Sequence, residues 1–456
     1  MIPELLRAQK NYFDTGDTKV VAFRKTALKR LKAELINREN DIIAALDKDF
    51  KKPAFESVLT ETQVVLSELD LTIKNMMRWA KPKRVLPALL NFPSTDRLYS
   101  EPYGAVLIIA PWNYPYQLAM APLIAAVAAG NTVILKPSEL TTHTAALLNA
   151  IISTVFKPEH VCVVQGGVDV STTLLAQKWD YIFFTGSVKV GKIVAKAAAE
   201  HLTPVTLELG GKNPCIIDAS ANIPLTAKRI VWGKFINAGQ TCIAPDYVLI
   251  QASKKEAFYK AMQIEIEKAY TDTPKASHDF ARIINQNNFE RLSKMLANEH
   301  CIIGGATDAE TYYIAPTLID EPKLDSEVMK DEIFGPILPI ISYEGISDLE
   351  NIINRYAKPL ALYVFSTNQT AAKKLITQFS FGGGCINDTV IHFVNHRLPF
   401  GGVGNSGIGA YHGQLSFDTF SHKKAVVKKA NWLDLPVRYA PYTGKLKTVR
   451  TLLKWM

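Results

Sequence analysis

A regular alternation of short apolar runs and helix-like stretches limits this chain of 456 residues to one class of fold. The runs are rich in β-branched residues and lie at 105–110, 132–135, 161–164, 181–184 and 205–209. Helix-like stretches separate them at 117–129, 142–155, 168–177 and 188–200. Strands and helices that alternate at this spacing predict βαβ units and a parallel sheet covered on both faces. A second alternation begins near residue 214. We therefore predict a dinucleotide-type α/β domain followed by a second α/β domain.

The first hundred residues have a different character. Apolar residues recur at helical spacing after Asp17 and Thr18, which can cap a helix start, and again over 55–79 up to Pro82. This pattern predicts two helices in the first eighty residues. Residues 82–100 hold three prolines and little periodicity, so we expect a connector or an extended arm there.

The composition excludes several classes of protein. Hydrophobic residues make up 48% and charged residues 21%, which is enough apolar surface to rule out a disordered or fibrous chain. The longest apolar run, 118–129, is interrupted by Pro122 and is too short to cross a bilayer. The start of the chain has no apolar core typical of a secretory signal, and five scattered cysteines fit a reducing compartment. These features predict a soluble cytoplasmic protein.

The positive charge is concentrated in a tail. The net charge is +9, but from Ser421 onward nine basic residues stand against one acid, so the first 420 residues are almost neutral. Nucleic-acid binding is not predicted, because it is expected to need a basic face on the folded domain. Three roles stay open for the tail: weak peripheral contact with an anionic membrane surface, a solvated segment, or a segment that crosses to a second subunit.

Two segments that follow predicted strands are candidates for cofactor binding. Gly186 and Ser187 precede a helix, where backbone N–H groups can approach a pyrophosphate, although an ordinary glycine turn is the alternative. Residues 186–192 also satisfy GxxxxGK, but Ile193 lacks the hydroxyl group that a P-loop needs for magnesium, which disfavours a nucleotide hydrolase. Lys136 and Glu139 follow the strand 132–135 and would face a ligand crevice, unless KPSE is only a helix start.

Three residues are candidates for catalysis. Glu208 stands in an apolar strand end before two glycines; burial would raise its pKa and suit it to accept a proton, although a solvent-facing position is the alternative. Cys242 lies in a Gly/Gln/Thr turn where a thiol can be accessible, and an inert packed cysteine is its alternative. Asn113 follows the strand 105–110 and offers the uncharged N–H donor that oxyanion sites use.

His392 and His396 have the spacing of two metal ligands on a helix. No third ligand is evident near them in the sequence, so structural histidines or histidines at a substrate mouth are the better interpretation. No metal site is predicted.

Seven motifs in this order resemble those of the aldehyde dehydrogenase superfamily over about residues 100–425. They are PWNYP (111–115), KPSE (136–139), TGSVKVGKI (185–193), LELGGKNP (207–214), NAGQTCIA (237–244), EIFGP (332–336) and PFGGVGNSG (399–407). The short amino terminus, GNSGIGAYHG (404–413) and SFDTFSHKKAV (416–426) are similar to the dimeric class-three branch, which acts on fatty and aromatic aldehydes.

The resemblance implies a fold of three parts. We expect a Rossmann-like parallel-sheet NAD(P)-binding domain at 1–81 and 101–209 and a second α/β catalytic domain at 210–400. A small oligomerisation arm with the basic tail would comprise 82–100 and 401–456. The resemblance also implies a homodimer held together through this arm.

The resemblance implies a role for each matching residue. Cys242 resembles the nucleophile, Glu208 the base that activates water, and the Asn113 side chain the oxyanion donor, together with the Cys242 N–H. The other matches imply contacts with the cofactor: Lys136 and Glu139 at the adenosine ribose, Gly186 and Ser187 at the pyrophosphate, Trp112 in the cleft, Glu332 at the nicotinamide ribose, and Phe334 at the nicotinamide.

The activity so implied is oxidation of an aldehyde to its carboxylic acid with NAD(P)+. The reaction would proceed through a thiohemiacetal and a thioester on Cys242, with hydride transfer to the nicotinamide. Because Glu208 is present, hydrolysis of the thioester is expected rather than transfer to coenzyme A. Glu139 would repel a 2′-phosphate, so we expect NAD as the cofactor, with use of NADP left open.

The substrate is expected to be a medium- or long-chain aliphatic aldehyde or an aromatic one, with Tyr114, Trp232 and Phe393 as candidates for the pocket lining. Two alternatives to this activity are a cofactor-independent cysteine esterase and a catalytically idle structural relative.

Overall fold

The computed structural model describes residues 2–88 and 91–454, whose strands form two predominantly parallel sheets, a three-stranded antiparallel arm and a two-stranded antiparallel sheet of β11 and β12. The described α-helices are α1 Ile2–Asp14, α2 Val21–Asn37, α3 Glu39–Phe50, α4 Ala54–Ser57, α5 Gln63–Trp79, α6 Gln117–Ala129, α7 Thr142–Val155, α8 Val168–Leu175, α9 Val188–Ala199, α10 Ile223–Phe235, α11 Lys255–Tyr270, α12 Gln286–Leu296, α13 Glu327–Lys330, α14 Ile346–Ile353, α15 Gln369–Gln378, α16 Gly413–Thr419 and α17 Leu446–Leu453. The described strands are β1 Lys83–Val85, β2 Ser94–Pro102, β3 Ala105–Ile109, β4 Thr132–Lys136, β5 Val161–Val163, β6 Tyr181–Thr185, β7 Val205–Glu208, β8 Pro214–Ile217, β9 Tyr247–Gln251, β10 Cys301–Ile303, β11 Thr307–Asp308, β12 Tyr313–Ile314, β13 Thr317–Asp320, β14 Ile337–Tyr343, β15 Ala361–Phe365, β16 Gly383–Ile386, β17 Gly407–Ile408 and β18 Ser421–Lys429.

The first sheet has the strand order β17-β7-β6-β3-β4-β5, and only β17 runs antiparallel to its neighbour. Successive side chains of β3 enter two different cores. Leu107 packs in one core with Leu6 of α1 and Val194 of α9, whereas Ile108 packs in the other with Leu123 of α6. Because helices cover both faces, the strands are continuous apolar runs. The predicted parallel sheet with two covered faces is confirmed.

The second sheet has the order β10-β13-β14-β9-β8-β15-β16, and β10 alone runs antiparallel to its neighbour. The second βα alternation that the sequence predicts is therefore confirmed. The domain boundaries stay a prediction. Strand β17, which those boundaries assign to the arm, pairs with β7 in the first sheet. Positions 1, 89, 90, 455 and 456 of the predicted segments lie outside the described residues.

The prediction of two helices before residue 80 is wrong, because α1 to α5 all lie there, with a π-helical turn Val58–Thr62 leading into α5. The proposed cap at Asp17 and Thr18 is also wrong. Gly16 takes a left-handed conformation (φ 84°), Asp17–Lys19 forms a 3-10 turn, and α2 begins only afterwards. A glycine tolerates that conformation without steric cost, so it separates α1 from α2. Arg38 leaves the helical conformation and starts a new apolar face in α3.

The arm is a three-stranded antiparallel sheet with the order β1-β2-β18. β18 pairs with β2 from Ser421 opposite Pro102 to Lys429 opposite Ser94, so the predicted connector and the start of the basic tail form one structure. No described helix combines the length and the apolar character that a membrane span needs.

Candidate active site

The carboxyl ends of β3, β4, β6 and β7 lie along the same edge of the first sheet, because these strands are parallel. A cleft of about 430 Å³ opens at this edge. Eight of the ten residues predicted for the site line it: Trp112, Asn113, Gly186, Ser187, Glu208, Cys242, Glu332 and Phe334. The predicted motifs therefore converge on one place, although Trp112 and Phe334 are 222 positions apart along the chain.

Cys242 lies between two cavities. It lines the cleft and also a second, mainly apolar cavity of about 200 Å³, and Glu208 lines both as well. Burial raises the pKa of the Cys242 thiol, and the nearby Glu332 and Glu208 carboxylates raise it further. The resting group is therefore a thiol that must lose its proton before it can act as a nucleophile. The alternative of an inert cysteine packed among apolar side chains is wrong, since Cys242 borders open space on two sides.

The loop before Cys242 has an unusual backbone. Asn237, Ala238 and Gly239 are all left-handed, with φ values of 57°, 52° and 73°. A Cβ atom at Gly239 would lie 2.3 Å from the carbonyl oxygen of Gly335, so this turn requires glycine. Asn113 touches the same loop, because its Nδ2 donates to the carbonyl oxygen of Gln240 at 3.0 Å. An amide has two N–H donors, and the second one is available to a ligand in the cleft.

Glu208 is the last residue of β7 and is only 3% exposed. Neither of its carboxyl oxygens has a hydrogen-bond partner among the described residues. Burial raises its pKa well above the ordinary value. The alternative that Glu208 points to solvent is therefore wrong. A buried carboxyl group without partners is unfavourable for folding, and such groups concentrate at functional sites.

Glu332 is another carboxyl group that lines the cleft. Burial, with the charge of Asp246 adding to it, raises the pKa of Glu332 to about 8, and its Oε1 has no partner in the described part of the chain. A Cβ at Gly210 would lie 2.2 Å from Glu332 Oε2, so the glycine makes room for this carboxyl group. Two aromatic rings also line the cleft: the ring of Trp112 contacts the ring of Phe334 edge to face, with 5.3 Å between their centroids.

The turn after β6 presents the amino terminus of α9 to the cleft. Ser187 caps that helix by accepting the N–H of Val190 at 3.4 Å, and Gly186 precedes it. Gly186 is needed here because a Cβ would lie 2.5 Å from the ring of Phe184. A helix amino terminus with free N–H groups favours a negatively charged ligand.

Lys136 and Glu139 are the two predicted residues that do not line the cleft. Lys136 ends β4 and is buried, and its Nζ donates to Glu139 Oε2 at 2.7 Å. The alternative that KPSE is only a helix start is wrong, because the Ser138 Oγ accepts the N–H of Leu140 in a turn and α7 begins only after Thr141. The pair therefore stands at the carboxyl end of β4, at the same edge of the sheet as the cleft.

The apolar cavity has aromatic walls. Tyr114, Trp232 and Phe393, the predicted lining candidates, all border it, as do Phe400 and Tyr411. Among the residues that the structure describes, no group of three or more His, Cys, Asp or Glu could hold a metal ion. His392 lies in a 3-10 turn with its Nδ1 3.6 Å from Cys385 Sγ.

A buried charged network behind the site has no counterpart in the predicted motifs. Lys52 and Glu61 form an ion pair of 2.6 Å, and both side chains are 0% exposed. Glu61 Oε2 also accepts the N–H groups of Tyr116 and Gln117 at 2.9 and 3.0 Å. Glu56 Oε2 accepts the N–H of Asn237 at 2.9 Å. These groups fix the loops that carry the amide and the thiol. The only sequence signal for them is that charged residues interrupt an apolar helical region.

Comparison with known proteins agrees with this geometry. A model described as "Aldehyde dehydrogenase family" matches residues 3–426. The 4,4'-diaponeurosporen-aldehyde dehydrogenase of Staphylococcus aureus is 45% identical over 98% of this chain and 97% of its own. The dimeric NADP-preferring aldehyde dehydrogenase of Rattus norvegicus is 42% identical over 98% and 99%. The substrate-bound structure of Staphylococcus aureus AldH superimposes with a TM-score of 0.98 at 44% identity and covers 99% of both chains.

Proposed function

The chain belongs to the aldehyde dehydrogenase family, in its class-three-like branch, and oxidises aldehydes with NAD(P)+; on this premise we propose that Cys242 is the nucleophile and Glu208 the base. One observation carries the proposal: both residues line the cleft and the apolar cavity. The cleft can hold the dinucleotide, and the apolar cavity can hold the hydrocarbon part of the aldehyde. The relatives give no support to an esterase or an idle protein.

The residues of the cleft fit a dinucleotide. The amino terminus of α9 can hold the pyrophosphate, and Glu332 has an oxygen without a partner among the described residues, which can accept from a ribose hydroxyl. Trp112 and Phe334 would lie against the nicotinamide end. The bound cofactor supplies a hydride acceptor. Lys136 and Glu139 would contact the adenosine ribose, and the Glu139 carboxylate supports a preference for NAD, because it would face a 2′-phosphate with like charge.

Residues of the chain carry out the addition to the aldehyde, stabilise the oxyanion and hydrolyse the thioester. Addition joins the Cys242 sulfur to the carbonyl carbon, the thiol proton passes to solvent water, and the electron pair of the carbonyl double bond moves to the oxygen, which becomes an oxyanion. The Asn113 Nδ2 and the backbone N–H of Cys242 donate to that oxygen, and removal of such a donor typically costs about 3–4 kcal/mol in the barrier. After oxidation, the Glu208 carboxylate takes a proton from water, the water oxygen bonds to the thioester carbon, and the sulfur leaves. The raised pKa of Glu208 makes its carboxylate a stronger base near neutral pH.

The test is rapid mixing with an aliphatic aldehyde and NAD, followed at the absorbance of the reduced cofactor. Glu208→Gln should give a burst stoichiometric with active sites, then turnover slower by roughly 10²–10⁴-fold, because only the hydrolytic step loses its base. Cys242→Ser should abolish both phases. Cys301→Ser is the control, since Cys301 is half-buried in β10 and lines neither cavity. Full activity of Cys242→Ser, or slow turnover of Glu208→Gln without a burst, would contradict the assignment.

We further propose that the protein is a cytoplasmic homodimer acting on medium- or long-chain aliphatic or aromatic aldehydes. The arm supports the dimer, because β1 is exposed at every position and Val426 and Val427 of β18 are exposed apolar residues. Such a strand edge is normally covered by another chain or by charges. Light scattering should give twice the chain mass, and a monomer would refute this. The aromatic walls of the cavity support an apolar substrate, which a panel of aldehydes would test.

The basic tail supports a weak peripheral contact with an anionic membrane. Helix α17 places apolar and basic residues on different faces: Leu446, Val449 and Leu453 on one, and Lys447, Arg450 and Lys454 on the other. Such a helix can lie in the interface plane of a bilayer. The protein should sediment with vesicles that contain phosphatidylserine at low salt but not with phosphatidylcholine vesicles, and a chain shortened to residue 430 should lose this binding. Equal binding by the shortened chain would refute the contact.

A further inference from the structure

A second chamber of about 160 Å³ adjoins the apolar cavity that Cys242 lines. Five residues border both spaces: Leu59, Val64, Gln117, Phe393 and Val394. Because these side chains border both spaces, a long aldehyde with its carbonyl group at Cys242 would extend its chain through the apolar cavity towards this chamber. The far end of a long substrate would meet the groups that line the chamber.

That outer chamber carries a chain of three polar side chains. Ser67 Oγ lies 3.0 Å from His396 Nε2, and His396 Nδ1 lies 2.9 Å from Glu68 Oε1. Glu68 and His396 are shielded, with side chains 8% and 26% exposed, whereas Ser67 is open to solvent. A second histidine of this chamber, His412, is buried, and its Nδ1 has no partner among the described residues. The chamber thus combines apolar walls with a polar end.

The order Ser-His-Glu resembles a hydrolytic triad, but the position of Ser67 does not suit hydrolysis. Ser67 lies inside α5, where the backbone N–H groups are bonded within the helix and are not free to stabilise an oxyanion. The same hydrogen bonds suit the binding of a polar group of a ligand. Glu68 holds the imidazole in one orientation, and the imidazole holds the Ser67 hydroxyl towards the chamber.

The protonation of His396 decides what Ser67 can offer a ligand. The hydrogen bond to Glu68 raises the pKa of His396. When the imidazole is protonated, its Nε2–H donates to Ser67, and the Ser67 O–H is free to donate to a ligand. When it is neutral, Ser67 donates to Nε2 and its lone pairs can accept. A hydroxyl group both donates and accepts, so it suits either state, whereas a methyl group suits neither.

We propose that Ser67, His396 and Glu68 bind a hydroxyl group at the far end of the substrate, so that the enzyme prefers ω-hydroxy aldehydes to unsubstituted aldehydes of the same length. This inference rests on the proposed function of Cys242. Ser67 makes the contact, and His396 and Glu68 are positioning residues. The preferred products are ω-hydroxy carboxylic acids.

The experiment compares kcat/KM for ω-hydroxyalkanals and alkanals in pairs of equal chain length. The hydroxy-to-alkyl ratio should rise by roughly threefold to tenfold at the length that reaches Ser67, which is the range for one hydrogen bond. Shorter pairs should show no preference. In Ser67→Ala and in His396→Phe this peak in the hydroxy-to-alkyl ratio should disappear. Each ratio compares two substrates on the same protein, so a general loss of activity cancels.

The control is Ser347→Ala, an exposed serine of α14 far from the chamber in the chain, which should keep the peak. A ratio without a peak at any length in the unmodified protein would overturn the proposal. A peak that persists in Ser67→Ala would overturn it as well. Absence of turnover with both substrates in the unmodified protein would instead refute the proposed function of the Cys242 site.

Discussion

Glu61 allows the sharpest test of how the fold supports the site. Its carboxylate pairs with Lys52 at 2.6 Å and accepts the N–H groups of Tyr116 and Gln117, and both charged side chains are fully buried. Removal of one partner from a buried ion pair typically costs about 3–5 kcal/mol, and each buried N–H left unpaired costs about 1–3 kcal/mol. These terms overlap, because the same carboxyl group makes all three contacts. We expect Glu61→Ala to lower the free energy of unfolding by about 4 kcal/mol.

Two further variants separate charge from hydrogen bonding. Lys52→Met removes the cation but keeps both N–H bonds to Glu61, so we expect a smaller loss, about 3 kcal/mol, at the lower end of the range for a broken buried pair. The double variant Lys52→Met/Glu61→Gln has no buried charge, and its amide oxygen can still accept an N–H. It should therefore be more stable than Glu61→Ala.

Glu61→Ala should also lower the rate of catalysis, because Asn113 precedes Tyr116 in one short loop. A displacement of about 1 Å in a catalytic group can lower the rate about 10²-fold, so kcat of Glu61→Ala should fall by roughly that factor at temperatures where it stays folded. The assays are urea unfolding followed by circular dichroism and steady-state kinetics. A loss of stability below about 1 kcal/mol, or a double variant less stable than Glu61→Ala, would refute the reasoning.

Three other predictions concern the glycines and carboxyl groups of the cleft. In the cofactor-free protein, folding raises the pKa of Glu332 from 4.5 to about 8, so the folded state binds a proton more tightly than the unfolded state. The contribution of Glu332 to the free energy of unfolding is therefore fully present below pH 4.5 and is lost as the pH rises through about 8. Glu332→Gln should flatten that fall in thermal stability, which calorimetry across this pH range would measure. Gly210→Ala would place a Cβ 2.2 Å from Glu332 Oε2 and should raise the Kd for NAD by about tenfold or more, measured by tryptophan fluorescence. Gly239→Ala would place a Cβ 2.3 Å from a backbone oxygen at a φ of 73°, so it should cost about 2 kcal/mol or more and change the rate of Cys242 alkylation by iodoacetamide.

The location of the cleft could be predicted from the sequence because its residues are local to strand ends. Asn113, Gly186 and Glu208 each stand at the end of a recognisable apolar run or follow it closely. Parallel strands bring their carboxyl ends to one edge, so a correct strand assignment already places these residues together. The assignment is accurate for β3 and β6 because strands buried on both faces have long apolar runs, and β7 is recognisable although Thr206 and Glu208 interrupt its apolar run.

The network behind the site could not be predicted in this way. Lys52, Glu56 and Glu61 lie in the helical region where the sequence predicted too few helices. Whether a charged side chain is buried depends on its partners, and the partners of Glu61 include backbone groups 55 and 56 residues away. No local period or motif contains that information.

The structure of the Cys242 loop depends both on its local motif and on contacts with distant segments. Its motif is recognisable, but its shape requires Asn237 and Ala238 to be left-handed, at a cost of about 1–2 kcal/mol for each residue that is not glycine. Hydrogen bonds from distant segments offset this cost. Glu56 accepts the Asn237 N–H, and the Asn237 side chain donates to the carbonyl oxygens of Asn113 and Gln240. The position of the thiol thus depends on a carboxylate from α4 that the motif does not contain. A relative that kept NAGQTC but lost this carboxylate would be expected to place its cysteine less accurately.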